Sequence, residues 1–147
     1  MIVRYDNEQS ASDPLSGTVI DGSLRLAQLL ESRRDNAPFF ARLTADNGFE
    51  IMIGIGRDVG CVQYSRSNGG PPYLMAVSYD PPVKRGCVEF LAANTPTPIA
   101  ARYIINFDEL KAIALHFLNT GERSGSTSWQ VLNPRAARED MERPLDS

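Results

Sequence analysis

The side chains best suited to covalent, metal or proton-transfer chemistry are few: one histidine, His116, and two cysteines, Cys61 and Cys87, 26 positions apart. Zinc needs three or four convergent nitrogen or sulfur ligands, and neither a C-x-x-C nor an H-x-E spacing supplies them. The zinc-deaminase signature, H-x-E with P-C-x-x-C, is likewise absent. A nucleophilic mechanism needs a thiol or hydroxyl beside a base. Ser126-Thr127-Ser128 has no G-x-S-x-G elbow. Cys61 and Cys87 fall on expected strands and read as small core hydrophobes with reduced thiols. His116 falls beside the apolar face of an expected helix, a boundary position rather than a ligand or a base.

Gly54-Ile55-Gly56 with Gly60 has the spacing G-x-G-x-x-x-G, and a strand follows it rather than a helix whose N-terminus could receive a pyrophosphate. Gly54 and Gly56 read instead as places where a helix or another backbone approaches a sheet, with Gly60 making a turn. Asp108 and Glu109 are explained by helix capping, which leaves no spare acid and base for hydrolytic chemistry. No catalytic, cofactor-binding or metal-binding residue is expected, and the chain is read as a non-enzyme. The enzymatic alternative would have to gather scattered polar groups around Cys61, Tyr79 and His116.

Binding chemistry is better represented. Tyr64, Tyr73 and Tyr79 lie on or beside expected strands, with Arg57, Asp58 and Asp80 close in sequence. Tyrosine and arginine are over-represented at interface hot spots, so these six residues are the candidate partner-binding set. The 15 basic and 18 acidic residues leave a net charge of −3 and are interspersed, with no basic stripe for phosphate binding, so no direct nucleic-acid contact is expected. Ile51-Met52-Ile53-Gly54-Ile55 is far short of the roughly 20 residues that cross a bilayer, and the first residues lack a secretory apolar core. A cytoplasmic protein with no membrane partner is expected.

The elements that must position these groups are legible from spacing. Leu26, Leu29 and Leu30 recur at helical intervals behind Asp21-Gly22-Ser23, which predicts a helix over about 23–34. Phe39 to Ala45 and Phe49 to Gly54 flank Asp46-Asn47-Gly48, a strong hairpin signal. Strands at Cys61–Ser65, Tyr73–Tyr79 and Cys87–Leu91 extend the meander. Asn106 with Glu109 predicts a capping box opening a second helix, whose stripe is Leu110, Ile113, Ala114, Phe117 and Leu118 and whose end is marked by Gly121. Residues 133–147, rich in charge and poor in apolar groups, are expected to form a flexible charged tail. The expected fold is a single α+β domain over 1–132: an antiparallel β-meander of about five or six strands with two helices packed on one face.

Glu109 to Arg123, followed by Ser128-Trp129-Gln130, resembles the C-terminal signature of the first-numbered immunity-protein family of bacterial polymorphic toxin systems. In that signature a helix ending Phe-x-x-Thr-Gly-x-Arg-Pro is followed a few residues later by tryptophan. Ile53 to Tyr64 is similar to actinobacterial members, where a glycine-punctuated strand leads through Asp-x-Gly to a strand ending in an aromatic. Here Ser124-Gly125 replaces the proline, lengthening the link to Trp129, and Thr95-Pro96-Thr97-Pro98 resembles the family only loosely. The resemblance implies a small cytoplasmic inhibitor that binds a cognate secreted toxin domain, often a nucleic-acid deaminase, and blocks it by occupying its surface. The runner-up is a regulatory or assembly module binding another protein.

Overall fold

The computed structural model describes residues 1–142. In chain order, Val3–Asn7 (β1) and Thr18–Val19 (β2) precede the first helix, Ser23–Arg33 (α1). Phe39–Ala45 (β3), Phe49–Ile55 (β4), Val59–Arg66 (β5) and Leu74–Val77 (β6) form the central meander. Cys87–Ala92 (β7) and Thr95–Ala100 (β8) make a hairpin, and Ile105–Asn106 (β9) leads into the second helix, Phe107–Thr120 (α2). Ser128–Val131 (β10) and a third helix, Pro134–Glu142 (α3), complete it. No helix among the described residues is long and apolar enough to cross a membrane.

The architecture is α+β with an antiparallel sheet, as the spacing predicts, but the sheet has ten strands rather than five or six. Its main path runs β10-β6-β5-β4-β3-β1-β2. Among the strands not expected, β1 is a five-residue segment with three polar or charged residues, and the others are short or carry prolines. β2 is two residues long, and β8 carries Pro96 and Pro98. β8 pairs only with β7, so both prolines, two residues apart, turn the side without an N–H away from the ladder. The β3–β4 hairpin forms where Asn-Gly predicts it: Gly48 takes φ of 88°, and the Asn47 side chain accepts the Phe49 N–H at 3.1 Å.

Side-chain alternation gives the sheet two apolar faces. Phe39, Ala41, Leu43, Ile51, Ile53, Ile55 and Val62 face α1 and α2, meeting Leu26, Leu29 and Leu30 from the first and Leu110, Ile113 and Phe117 from the second. The opposite face carries Phe40 and Cys61 against Phe90 of β7 and Ile104. Farther along that face, Met75, Ala100 and Tyr103 form a smaller cluster with Leu132, Ala137 and Met141.

Several local expectations are corrected. Asn106 sits at the start of α2 without capping it through its side chain. The Phe107 N–H donates to the Asp58 carbonyl at 3.0 Å, so the neighbouring turn satisfies one of the four free N–H groups at this helix end. Nor does Asp21 or Ser23 cap α1 through its side chain, its N-cap position being Gly22. Within the segment expected as a charged tail, 134–142 are helical: Asn133 accepts the Ala136 N–H, and Asp140 takes a bidentate pair from Arg102 at 2.6 and 2.9 Å. The few apolar residues there, Ala137 and Met141, share one helix face, which low overall hydropathy concealed. The rest of that segment, 143–147, lies outside the described residues. Cys61 is buried, whereas Cys87 is exposed at the start of β7, and both thiols are free.

The glycine run is a packing device with a different division of labour from the one expected. A Cβ at Gly54 would lie 2.6 Å from the Cys61 Sγ and 2.8 Å from the Phe90 ring; at Gly60 it would lie 2.8 Å from Leu110 of α2. Gly54 therefore admits the hairpin on one face and Gly60 the helix, while Arg57 and Asp58 form the turn. Gly54→Ala is expected to cost about 1–3 kcal/mol by overpacking, in part restored by Phe90→Leu, with urea midpoints as the measurement.

A buried ionic knot ties the N-terminal loop to α1. The Asp13 carboxylate receives Arg33 Nε and Nη2 at 2.8 and 2.7 Å, the Tyr5 hydroxyl at 2.8 Å, Asn7 Nδ2 at 3.0 Å and the Leu15 N–H at 3.0 Å.

Candidate partner-binding surface

The six candidate residues separate into two groups at opposite ends of the sheet. Arg57 and Asp58 occupy the exposed β4–β5 turn, with the Asp58 side chain 91% accessible. The Asp58 carbonyl holds the first N–H of α2, so this turn and the helix N-terminus form one unit. Arg34 closes the unit from the other side, its guanidinium 4.2 Å from the Phe107 ring centre and donating to the Arg57 carbonyl at 2.6 Å. It also reaches Asp58 at 3.3 Å and Glu31 at 3.1 Å. Hydrogen bonds from Lys111 and Arg34 hold the Glu31 carboxyl below its ordinary value.

Tyr79 and Asp80 come to this same end because Ser78 donates to Glu109, in the first turn of α2, at 2.9 Å. Tyr79 is fully exposed, and Asp80 is exposed with Lys84 as its ion-pair partner. The helix N-terminus adds exposed Asp108. This end of the sheet therefore exposes three carboxylates, Asp58 beside Arg34, Asp80 beside Lys84, and Asp108, together with Tyr79 and an arginine clamped on a phenyl ring.

Tyr64 and Tyr73 lie at the other end of β5 and β6. Tyr73 is partly exposed, and its hydroxyl donates to the Gly69 carbonyl at 2.5 Å. Tyr64 is only 7% accessible, so its ring is core rather than contact surface. It stacks on Phe49 with centres 5.0 Å apart and meets Phe117 and Trp129 edge-on at 6.3 Å each. Two of the residues that the enzymatic alternative would gather, Cys61 and His116, lie on opposite sides of the sheet. Cys61 is enclosed on the hairpin side of the sheet, where burial pushes its thiol up to about 12, and His116 belongs to the helix over the opposite face.

Beside Tyr64 the chain builds a feature that reading along the sequence did not single out. The link after α2 folds back so that Arg123, Ser124 and Trp129 enclose a groove of about 440 Å³ floored by Tyr64. Trp129 Nε1 donates to the Ser124 carbonyl at 3.1 Å, which fixes the link across the departure from the family signature. Arg123 lies 5.6 Å from the Tyr64 ring centre and Arg66 5.3 Å from that of Phe49. The hairpin register offered one signal for half of this arrangement, since it sets Phe49 opposite Arg66. Nothing local places Arg123 beside Tyr64.

The family model described as Immunity protein Imm1 matches residues 24–131, from α1 through β10, a span that contains both ends of the sheet. No curated protein matches the chain.

Proposed function

The chain belongs to the Imm1 immunity protein family, and on that premise we propose that it binds a cognate secreted toxin domain and neutralises it by stoichiometric occlusion. The toxin acts on nucleic acid in this reading, a deaminase being the favoured chemistry, and it is met in the cytoplasm of the bacterium that makes it. An inhibitor of this kind needs no catalytic group, only a rigid surface of roughly 800 Å² per partner, about a tenth of the 7831 Å² here.

The observation that carries the reading is the end of the sheet at the start of α2, where Asp58, Asp80 and Asp108 are exposed and Tyr79 is fully exposed. A nucleic-acid enzyme must hold phosphates in a basic cleft, and carboxylates on a fixed frame can take the place of those phosphates. Tyr79 supplies a large aromatic anchor of the kind enriched at the centre of tight interfaces. The frame is rigid because the Asp58 carbonyl, Ser78 and Arg34 each tie a loop to α2 or its flank.

Co-expression tests the function. Cells carrying the toxin domain encoded beside this chain are expected to survive only when the chain is present, and equal death with and without it refutes neutralisation in favour of a regulatory or assembly role. This end of the sheet has its own test. Asp58→Lys with Asp80→Lys is expected to slow association by roughly tenfold or more in low salt, because charge steering acts mainly on the on-rate. Unchanged stopped-flow rates would remove both residues from the interface.

A further inference from the structure

The groove beside Tyr64 carries charge and hydrogen-bonding capacity that the fold leaves unused. Tyr64 is more than nine-tenths buried, yet among the described residues its hydroxyl joins no hydrogen bond, although its side chain lines the groove. The side chain opens onto the groove, so a ligand entering there can accept the hydrogen bond that the fold leaves unused. Arg123 and Arg66 flank Tyr64, and neither makes an ion pair among the described residues, although eight other basic side chains do. Arg66 spends its Nε on the Pro71 carbonyl at 3.2 Å, leaving the fork of its guanidinium free. Burial raises the Tyr64 phenol; Arg123 and Arg66 pull against that and Glu122 adds to it, so the hydroxyl remains a proton donor at neutral pH.

We propose that this groove is an anion-accepting pocket for a carboxylate on the bound toxin, held by the Tyr64 hydroxyl and the Arg123 and Arg66 guanidinium groups. Arg123 lines the groove beside Glu122, and Arg66 lies next to it over Phe49, so two arginines stand against one carboxylate here in a chain whose net charge is −3, and charge complementarity selects an acidic side chain of the partner. The planar forks lie over aromatic rings and are thereby oriented before binding, which lowers the entropy lost on docking. The proposal rests on the toxin-binding reading and adds a second contact, opposite in sign to Asp58 and Asp80 and at the other end of the sheet. Paired contacts of opposite sign fix the docking register, because a toxin turned end for end would meet like charge at both.

The test uses the full chain and the toxin domain encoded beside it, with affinity measured by calorimetry. Arg66→Glu with Arg123→Glu is expected to weaken binding roughly a hundredfold and to flatten its dependence on salt. Arg123→Glu alone, which breaks no hydrogen bond of the fold, and Tyr64→Phe, which keeps the ring stack, are each expected to weaken it roughly five- to tenfold with an unchanged circular dichroism spectrum. Reversing one toxin carboxylate to arginine should restore binding to the two chains that carry Arg123→Glu and not to Tyr64→Phe. If all three variants bind like the parent while the Asp58 and Asp80 reversal weakens binding, the groove is overturned and the toxin reading stands. If the unchanged chain does not bind the toxin domain, both fall. Tight binding of a single-stranded oligonucleotide to the free chain, lost in the double arginine variant, overturns the carboxylate assignment.

Discussion

Replacing Asp13 by alanine is expected to remove about 3–5 kcal/mol of folding stability, because it leaves the Arg33 charge and the Tyr5 hydroxyl uncompensated in a nearly dry site. The Asp13 side chain is 4% accessible and Tyr5 is fully buried. At this chain length the change corresponds to a fall of roughly 10–20 °C in Tm. The pH dependence follows from the same contacts. Burial alone pushes the Asp13 carboxyl up, but hydrogen bonds from Arg33, Asn7, the Leu15 amide and Tyr5 outweigh it and hold the carboxyl well below the usual carboxylate range. A carboxyl depressed by folding contributes stability that is complete above its unfolded value of about 4 and is lost as the pH falls through its folded value. The parent should therefore lose stability on acidification below about pH 4 more steeply than Asp13→Asn, which has no carboxyl there to protonate. Parallel acid profiles for the two proteins would show that the knot contributes no net linkage.

Phe90→Ala is expected to cost a comparable amount, about 3–5 kcal/mol, through lost burial and the cavity left behind. Phe90 is fully buried, its ring 5.4 Å from that of Phe40 and packed above Gly54. The β7–β8 hairpin meets β3 through the single bridge Phe39 to Leu91, so its seat on the sheet depends chiefly on this side-chain cluster. The loss should accordingly be local. Hydrogen exchange is expected to accelerate over 87–100 while the β3–β5 amides beneath α1 and α2 stay protected. Uniform acceleration across the sheet would instead mean that the hairpin and the central sheet unfold as one unit.

Elements built from nearest-neighbour chemistry were legible along the chain. The α2 stripe from Leu110 to Leu118, the left-handed Gly121 at its end and the Asn47-Gly48 hairpin each depend on residues within a turn or two of one another. The immunity-protein resemblance was likewise carried by short strings, and the family match covers the same region. A packing role for the glycine run was legible from its spacing, although which neighbour each glycine admits depended on Phe90 and Leu110, 36 and 50 positions away from Gly54 and Gly60. Edge strands were missed because a two-residue strand or one broken by prolines has no periodicity to read. The α3 helix was missed because its apolar content is two residues deep and is meaningful only against Tyr103.

The candidate surface divides along the same line. Arg57, Asp58, Tyr79 and Asp80 could be named from composition near turns, where solvent exposure is the default. Tyr64 could not be sorted from them, since a strand tyrosine faces core or solvent according to which side the helices cover. The amino-acid order by itself determined α1, α2, the central hairpin and the family, because propensity, apolar spacing and alternation act over a few residues. The tertiary structure alone decided that Tyr64 is buried with its side chain on a groove and that Arg123 comes to rest beside it from 59 positions away. Those outcomes depend on which strand edges pair and which face each helix covers, interactions between distant segments that no local window contains.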